Sequence, residues 1–291
     1  MLLGYLREHH IPTVLTLHDC HPFTGKCTHY TQAGCTRWKH GCGSCPQLRR
    51  DIPAWFFDFT GKMLADKRKI YESFPELQII AVSQWMEQQA MQSVLKHNSI
   101  CRIYNWIDTE AFYPMDLPEE NQMLILGISA VWRKNAPKLQ DFLKLSGYLP
   151  EGAQICLVGK MDRGISLPRN ISHIPYVSDA GRLAELFNRA AVYVHFSYEE
   201  SFGRVIAEAM ACGTPVVVYG ATACPELVGE GCGYVVQPGD VAAAAGAIRE
   251  IRKNKKSFYR DSCIRNAEKF RKEIRLKETY QLYQSIVSAP K

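Results

Sequence analysis

From Met123 onward the sequence repeats one pattern: a short apolar run, a turn, an amphipathic stretch, and another apolar run. "MLILGISAV" and "AQICLVGK" lead to "AGRLAELFNRA", "AVYVHFS", "GRVIAEAMACG", "TPVVVYG" and "DVAAAAGAIREIRKN". The strand-like runs are apolar throughout rather than in alternation, so both of their faces must be covered. Strands of that kind, separated by helix-length segments, predict a parallel sheet with helices on both sides. This half is expected to be a doubly wound α/β domain.

The first half is less regular. "LGYLREHH" reads as a helix and "TVLTLHD" as a strand, followed by an irregular cysteine-rich segment over residues 20–48. "WFFDFTGKMLADKRKIYESF" and "QWMEQQAMQSVLKH" read as helices, and "LQIIAVS" and "ICRIYNW" as strands. "FYPMDLPEENQ", with two prolines and three acids, is the best linker candidate. The expected organisation is an N-terminal domain over 1–112 carrying the 20–48 insert, a second domain over 121–270, and a C-terminal helix over 271–291. No internal repeat or low-complexity segment is evident.

Composition narrows the class. The chain is 46% apolar and 22% charged, as a globular protein is. No apolar run reaches the roughly 18–20 residues of a membrane span. The N-terminus lacks a basic region followed by an apolar core, so a cytoplasmic location is expected. The net charge is +6, and much of it lies in "IRKNKKSFYRDSCIRNAEKFRKEIRLK". A solvated helix face is the plain reading of that run; a peripheral position at the inner face of a membrane is the further one. Stacking aromatics are not concentrated near it, which argues against nucleic acid as a partner.

The chemistry concentrates in "EESFGRVIAEAMACGTPVVV", where Glu200 and Glu208 stand eight apart. In a doubly wound sheet, ligands bind at the carboxyl ends of strands, where helix N-termini present unbonded N–H groups. Gly203 allows a close backbone approach, and amides from Phe202 through Arg204 to Val205, next to Ser201, could hold a diphosphate. Glu208 suits the vicinal diol of a ribose, and Glu200 the hydroxyls of a sugar or a developing positive charge. The bland alternative makes Glu200 a first-turn acid favoured by the helix dipole and Glu208 a solvated residue. Against it, Val205, Ile206, Ala207, Ala209, Met210 and Ala211 leave little of this helix to be solvated.

These residues resemble the donor site of retaining GT-B glycosyltransferases of family 4. The resemblance extends to "PELVGEGCGYVVQPGD", "AVSQWMEQQAMQSVLKH" and "NWIDTEAFYP", with Trp106 in place of the family's usual glycine. "TLHDCHPFTGKC" and "GCTRWKHGCGSCPQL" resemble a subgroup of colanic-acid-type and other exopolysaccharide transferases. The resemblance implies a GT-B fold of two Rossmann-like doubly wound parallel-sheet domains, the N-terminal one incomplete. It lacks the first strands and glycine-rich loop and reads as a truncated or shortened form. It implies transfer of a hexose from a nucleotide diphosphate sugar to a saccharide or lipid-linked saccharide, with retention by front-face attack and no metal required.

His18 would border the acceptor and the anomeric carbon; read alone it is a strand-end histidine. The family's leaving-group cation falls in "SAVWRKNAPKLQDF". Spacing from Trp132 favours Lys134, with Arg133 second, whereas spacing to Phe142 favours Lys138; Lys134 is the first expectation. The rival reading is a non-catalytic nucleotide-sugar-binding fragment or scaffold.

Eleven cysteines remain. Six are scattered among apolar neighbours and read as small buried hydrophobes. Cys27, Cys35, Cys42 and Cys45 stand in an irregular segment with one C-x2-C pair, and Cys20 lies nearer the preceding strand. Structural zinc, buried thiols and a redox-formed disulfide are the three readings open to them; His29 or His40 could replace a thiolate.

Overall fold

A computed structural model describes residues 2–50, 52–117 and 123–288. It divides into two compact units, Met1–Asn105 with Arg275–Lys291, and Trp106–Ile274. Of the expected linker, 118–122 lies outside the described residues. The part before it belongs to the second unit. There the Asn188 side chain accepts from the Met115 N–H (2.7 Å) and donates to the Tyr113 carbonyl (2.9 Å).

The first unit contains α1 (Leu2–Glu8), β1 (Thr13–Leu17), α2 (Thr60–Glu72), β2 (Leu77–Ala81), α3 (Gln84–Met91) and β3 (Ser99–Arg102). Its strands form a parallel sheet in the order β1-β2-β3. Leu17, Ile79 and Ala81 from the sheet bury against Leu64, Tyr71 and Met86 of the helices. The aromatic stretch ahead of α2 is not helical, contrary to the periodicity. Asp58 explains the late start: its carboxylate accepts from the Thr60 N–H and hydroxyl at 2.9 and 2.6 Å, and from the Cys45 N–H at 2.7 Å. A side chain that satisfies the first helical donor from outside the helix fixes where the helix begins. Residues 20–48 are irregular, as expected, apart from short 3₁₀ turns at His21–Phe23 and Arg37–Lys39. They are not without a core, since Phe23, Tyr30 and Trp38 are buried in ring contact.

The second unit runs β4 (Met123–Trp132), α4 (Pro137–Ser146), β5 (Ala153–Met161), β6 (Ile171–Ile174), α5 (Ala180–Arg189), β7 (Val192–His195) and α6 (Arg204–Ala211). Then follow β8 (Val216–Tyr219), α7 (Cys224–Leu227), β9 (Gly233–Val236), α8 (Val241–Asn254), α9 (Lys256–Ala267) and α10 (Lys272–Ser288), which ends in the first unit. The sheet is all-parallel in the order β6-β5-β4-β7-β8-β9. Strands β7 and β8 are buried along their whole length, as their unbroken apolar character requires. At Gly159 the chain passes so close to β4 that a Cβ would lie 1.7 Å from the Ser129 carbonyl oxygen, and its φ of +133° suits glycine.

The last carbonyls of α5 cannot bond within their own helix. Lys256 Nζ meets those of Phe187, Asn188 and Ala190 at 3.1, 2.7 and 2.9 Å, and the Thr214 hydroxyl donates to Phe187 O at 2.6 Å. One ammonium thus ties the start of α9 to the end of α5. Lys256→Met is expected to destabilise the second unit by about 2–3 kcal/mol, because charge-assisted bonds are lost and buried carbonyls are left without partners. Denaturant unfolding followed by the fluorescence of its tryptophans checks this; a loss below half of that range would mean solvent satisfies the carbonyls.

Candidate functional site

The strand order of the second sheet reverses direction between β4 and β7, which are hydrogen-bonded neighbours. From β4 the chain turns back through β5 to β6, and from β7 it proceeds outward through β8 to β9. Connections leaving the carboxyl ends of β4 and β7 therefore diverge and open a crevice. The loop 133–136 leaves one strand and the loop 196–203 the other.

The second loop is held at several points. The Glu200 N–H donates to the Thr222 hydroxyl oxygen at 2.8 Å, and the Glu200 carbonyl accepts from the Ala223 N–H at 3.3 Å. The Tyr198 and Tyr219 hydroxyls both donate to Asp141 Oδ2, at 2.7 and 2.9 Å, which ties the loop to α4. Burial, then the bond to Asp141, pushes the Tyr198 hydroxyl up to about 12, so it stays a donor. Gly203 caps α6 with φ 92° and ψ 52°. A Cβ there would meet Ile206 Cδ1 at 2.9 Å and Glu200 Cγ at 3.3 Å, so no larger residue fits without displacement. Ser201 and Phe202 are buried, and Phe202 meets Phe270 edge-on with centroids 5.4 Å apart. Because α6 starts at Arg204, the Arg204 and Val205 amides fall in its first turn, where N–H groups lack an intrahelical acceptor.

Glu200 stands beside charge. Its Oε2 lies 3.3 Å from His195 Nε2, and His195 Nδ1 lies 2.7 Å from the Tyr193 hydroxyl. Burial lowers the proton affinity of His195 against the pull of Glu200. The Lys138 ammonium is desolvated, which lowers its proton affinity, while Glu200 and then Cys224 oppose that shift. Glu208 is buried, and its Oε1 meets Arg204 Nη2 at 3.2 Å. Burial raises its carboxyl above the ordinary range, and Arg204 partly offsets this. Arg204 is itself poised over Trp106, 5.7 Å from the ring centroid, with Lys272 Nζ 5.4 Å from the same ring.

Of the three bases weighed in the sequence, Lys138 is the one within electrostatic reach of Glu200. Arg133 and Lys134 are exposed, and the Lys134 main chain is occupied by bonds to Asp162 and Gln140. The chain makes a tight turn over Arg133–Ala136 before α4 begins, which carries Arg133 and Lys134 on the turn and Lys138 on the helix. The spacing to Phe142, buried on the same helix, points to this lysine. Asp141, Tyr193, His195 and Thr222 were not read from the sequence, since each matters only through a tertiary partner. In the first unit, His18 is exposed directly after β1, and the neighbouring Asp19 carboxylate accepts from the His21 N–H at 2.7 Å.

A parallel sheet in this order is that of a Rossmann-like unit; with the first unit's parallel sheet, the fold is that of GT-B glycosyltransferases. Residues 132–270, which carry Lys138, the loop 196–203 and α6, match the family model for glycosyl transferases group 1. The chain is 26% identical over 239 residues to the putative colanic acid biosynthesis glycosyl transferase WcaC of Escherichia coli K12, covering 79% of this chain and 57% of that protein. It is 21% identical over 228 residues to N-acetyl-alpha-D-glucosaminyl L-malate synthase of Bacillus anthracis, covering 72% and 58%. The chain thus spans less than two thirds of these relatives' length. Among solved structures, HepE of Anabaena in complex with UDP superposes with a TM-score of 0.72 at 18% identity, covering 97% of this chain and 75% of that one. Sucrose-phosphate synthase of Thermosynechococcus elongatus does so at 0.71 and 20% identity, covering 99% and 71%.

Lys138 gives a pH test. A lysine of lowered proton affinity loses its charge at lower pH than an ordinary one, and only the charged form attracts a diphosphate. Affinity for a nucleoside diphosphate is expected to fall as pH rises through that lowered value. Lys138→Met is expected to bind about 1.5–3 kcal/mol more weakly at neutral pH, with that pH dependence abolished. Titration calorimetry across the neutral-to-alkaline range checks both; an unchanged profile in the variant would remove Lys138 from the anion site.

Proposed function

We propose that this protein transfers a hexose from a nucleoside diphosphate sugar to a saccharide or lipid-linked saccharide, with retention of anomeric configuration, in exopolysaccharide or cell-surface glycan synthesis. The observation that carries the reading is a partly exposed Glu200 within electrostatic reach of a desolvated Lys138 beside a glycine-capped helix, with Glu208 buried in that helix. In this reading Glu208 accepts the two ribose hydroxyls. The α6 amides and Lys138, with Arg133 and Lys134 at the rim, take the diphosphate as it leaves. The helix N-terminus and these cations supply the positive charge the leaving group requires. Glu200 faces the sugar hydroxyls or the positive charge that develops at the anomeric carbon. His195, held by Tyr193, keeps Glu200 aimed. His18 is assigned to the acceptor side, and attack comes from the face the diphosphate vacates.

The group 1 match supports glycosyl transfer, and the Escherichia coli relative's name supports a polysaccharide product. Structural neighbours that hold UDP and UDP-glucose make a uridine donor the first to test. A basic C-terminal run suits an acceptor carried on an anionic membrane. Because this chain spans 58% and 57% of its first relatives, a second reading stands beside the first: a nucleotide-sugar binder without turnover.

Donor binding separates the residues, and turnover separates the readings. Glu208→Gln is expected to weaken nucleotide-sugar binding by about 1–3 kcal/mol, since charge-assisted bonds to a diol become neutral ones. Equal affinities in wild type and variant would take Glu208 out of the site. Glu200→Ala and His18→Ala are expected to lower turnover far more than nucleotide affinity, and proton NMR of the product should show the donor's anomeric configuration. Inversion would defeat the retaining mechanism. Donor binding without transfer or hydrolysis, across a panel of acceptors, would favour the binding-module reading.

A further inference from the structure

The cysteine-rich segment takes no part in the site described above, yet its main chain is built around four thiols. Cys27, Cys35, Cys42 and Cys45 line one cavity in the first unit, and none of the four is disulfide-bonded. Cys27 is hydrogen-bonded to Cys45, and Cys35 and Cys45 are near enough to both Cys27 and Cys42 to act on them electrostatically.

Three features of the backbone serve this gathering. First, the two residues inside Cys42–Cys45 both have positive φ, +130° at Gly43 and +46° at Ser44. A serine adopts that conformation only where its surroundings impose it. Here Arg37 Nη1 donates to the Gly43 and Ser44 carbonyls at 2.7 and 2.6 Å, and Asp58 accepts from the Cys45 N–H at 2.7 Å. Second, the Gly25 N–H donates to Cys42 Sγ at 3.3 Å and Gln47 Nε2 to Cys27 Sγ at 3.6 Å, bonds that favour sulfur as an acceptor. Third, two glycines close on Cys42. A Cβ at Gly25 would lie 2.5 Å from Thr60 O and 3.0 Å from Cys42 Cβ, and one at Gly61 would lie 2.9 Å from Cys42 O. Apolar packing does not call for this strained turn, because Phe23, Tyr30 and Trp38 already give the segment a core.

We propose that Cys27, Cys35, Cys42 and Cys45 bind one zinc ion as four thiolates. Four Zn–S bonds form and the four thiol protons pass to solvent, leaving a doubly negative tetrahedral centre. Cations stand ready to offset it. Lys26, within electrostatic reach of Cys27, is buried with Nζ on the Arg50 and Ile52 carbonyls at 2.7 and 2.6 Å. Lys67, within reach of Cys42 and Cys27, has Nζ on the His21 and Thr24 carbonyls. The side chains are not drawn into a coordination shell in this structure: among the described residues no group of three or more His, Cys, Asp or Glu side chains is spaced to hold a metal. Binding therefore requires the four thiols, which line one cavity, to turn about their Cα–Cβ bonds toward a common centre. An all-sulfur, four-coordinate site is closed, so its role is to order residues 20–48 rather than to act on substrate.

The test uses the full chain, purified under reducing conditions without a histidine tag. Elemental analysis is expected to find about one zinc per chain, released when a mercurial blocks the thiols, and Cys42→Ser to fall below about a fifth of that. Replacement of zinc by cobalt is expected to give the intense visible bands of a tetrahedral site together with thiolate-to-cobalt charge transfer. Stripping the metal should raise amide exchange across 20–48 while leaving the second unit unchanged. Zinc below about a tenth of an equivalent, with all eleven thiols reactive after denaturation, would overturn the proposal in favour of buried thiols. Fewer reactive thiols without metal would overturn it in favour of a disulfide, and an octahedral cobalt spectrum would refute the ligand set. The cobalt and exchange readouts come from the wild-type chain, so a variant that fails to fold leaves the outcome decided.

Discussion

The hydrogen-bonded pairing of β4 with β7 is the constraint on which the rest of the second unit depends. Ile125, Leu126 and Gly127 stand opposite Val192, Tyr193 and Val194 in a parallel register. Because the chain departs in opposite directions from these two strands, no helix can fill the space beyond their carboxyl ends. One strand delivers the turn that leads to Lys138, the other the loop that ends in Gly203. A one-residue slip of either would rotate its side chains to the opposite face and separate Lys138 from Glu200.

The two carboxylates differ in their surroundings. Glu200 has a lysine, a histidine and a pinned main chain around it, whereas Glu208 has one arginine that is itself half-exposed over Trp106. Carboxylates in such surroundings cost stability, and burial pushes Glu208 toward its neutral form. Under the proposed function, a ligand completes the pairing of Glu208 on a helix otherwise made mostly of small apolar residues. In that reading, the hydroxyl groups of a ribose and a sugar donate to the carboxylates, and a diphosphate between them meets the cations.

Much of this was legible in the sequence. The unbroken apolar runs gave the parallel sheet, and the spacing of Glu200, Gly203 and Glu208 gave the loop and helix entry. Lys138 was harder to read, since two spacings pointed to different bases and only its electrostatic reach to Glu200 in the folded unit singles it out. Tyr193, His195, Asp141 and Thr222 could not be assigned, because their hydrogen bonds join elements distant in the chain. The false helical start at Trp55 has the same origin: periodicity continued through residues whose first helical donor is captured by Asp58. The cysteine pattern was visible, but its left-handed turn and the glycines that close on Cys42 belong to the three-dimensional structure alone.

The claim that the α6 entry holds the donor is tested most directly by hydrogen exchange with and without a saturating nucleoside diphosphate sugar. The account predicts slowed exchange at the amides of residues 200–208 and in the segment 133–138, with β9 and α10 unchanged. Slowed exchange elsewhere in the second unit, with 200–208 unaffected by a ligand shown to bind, would contradict it.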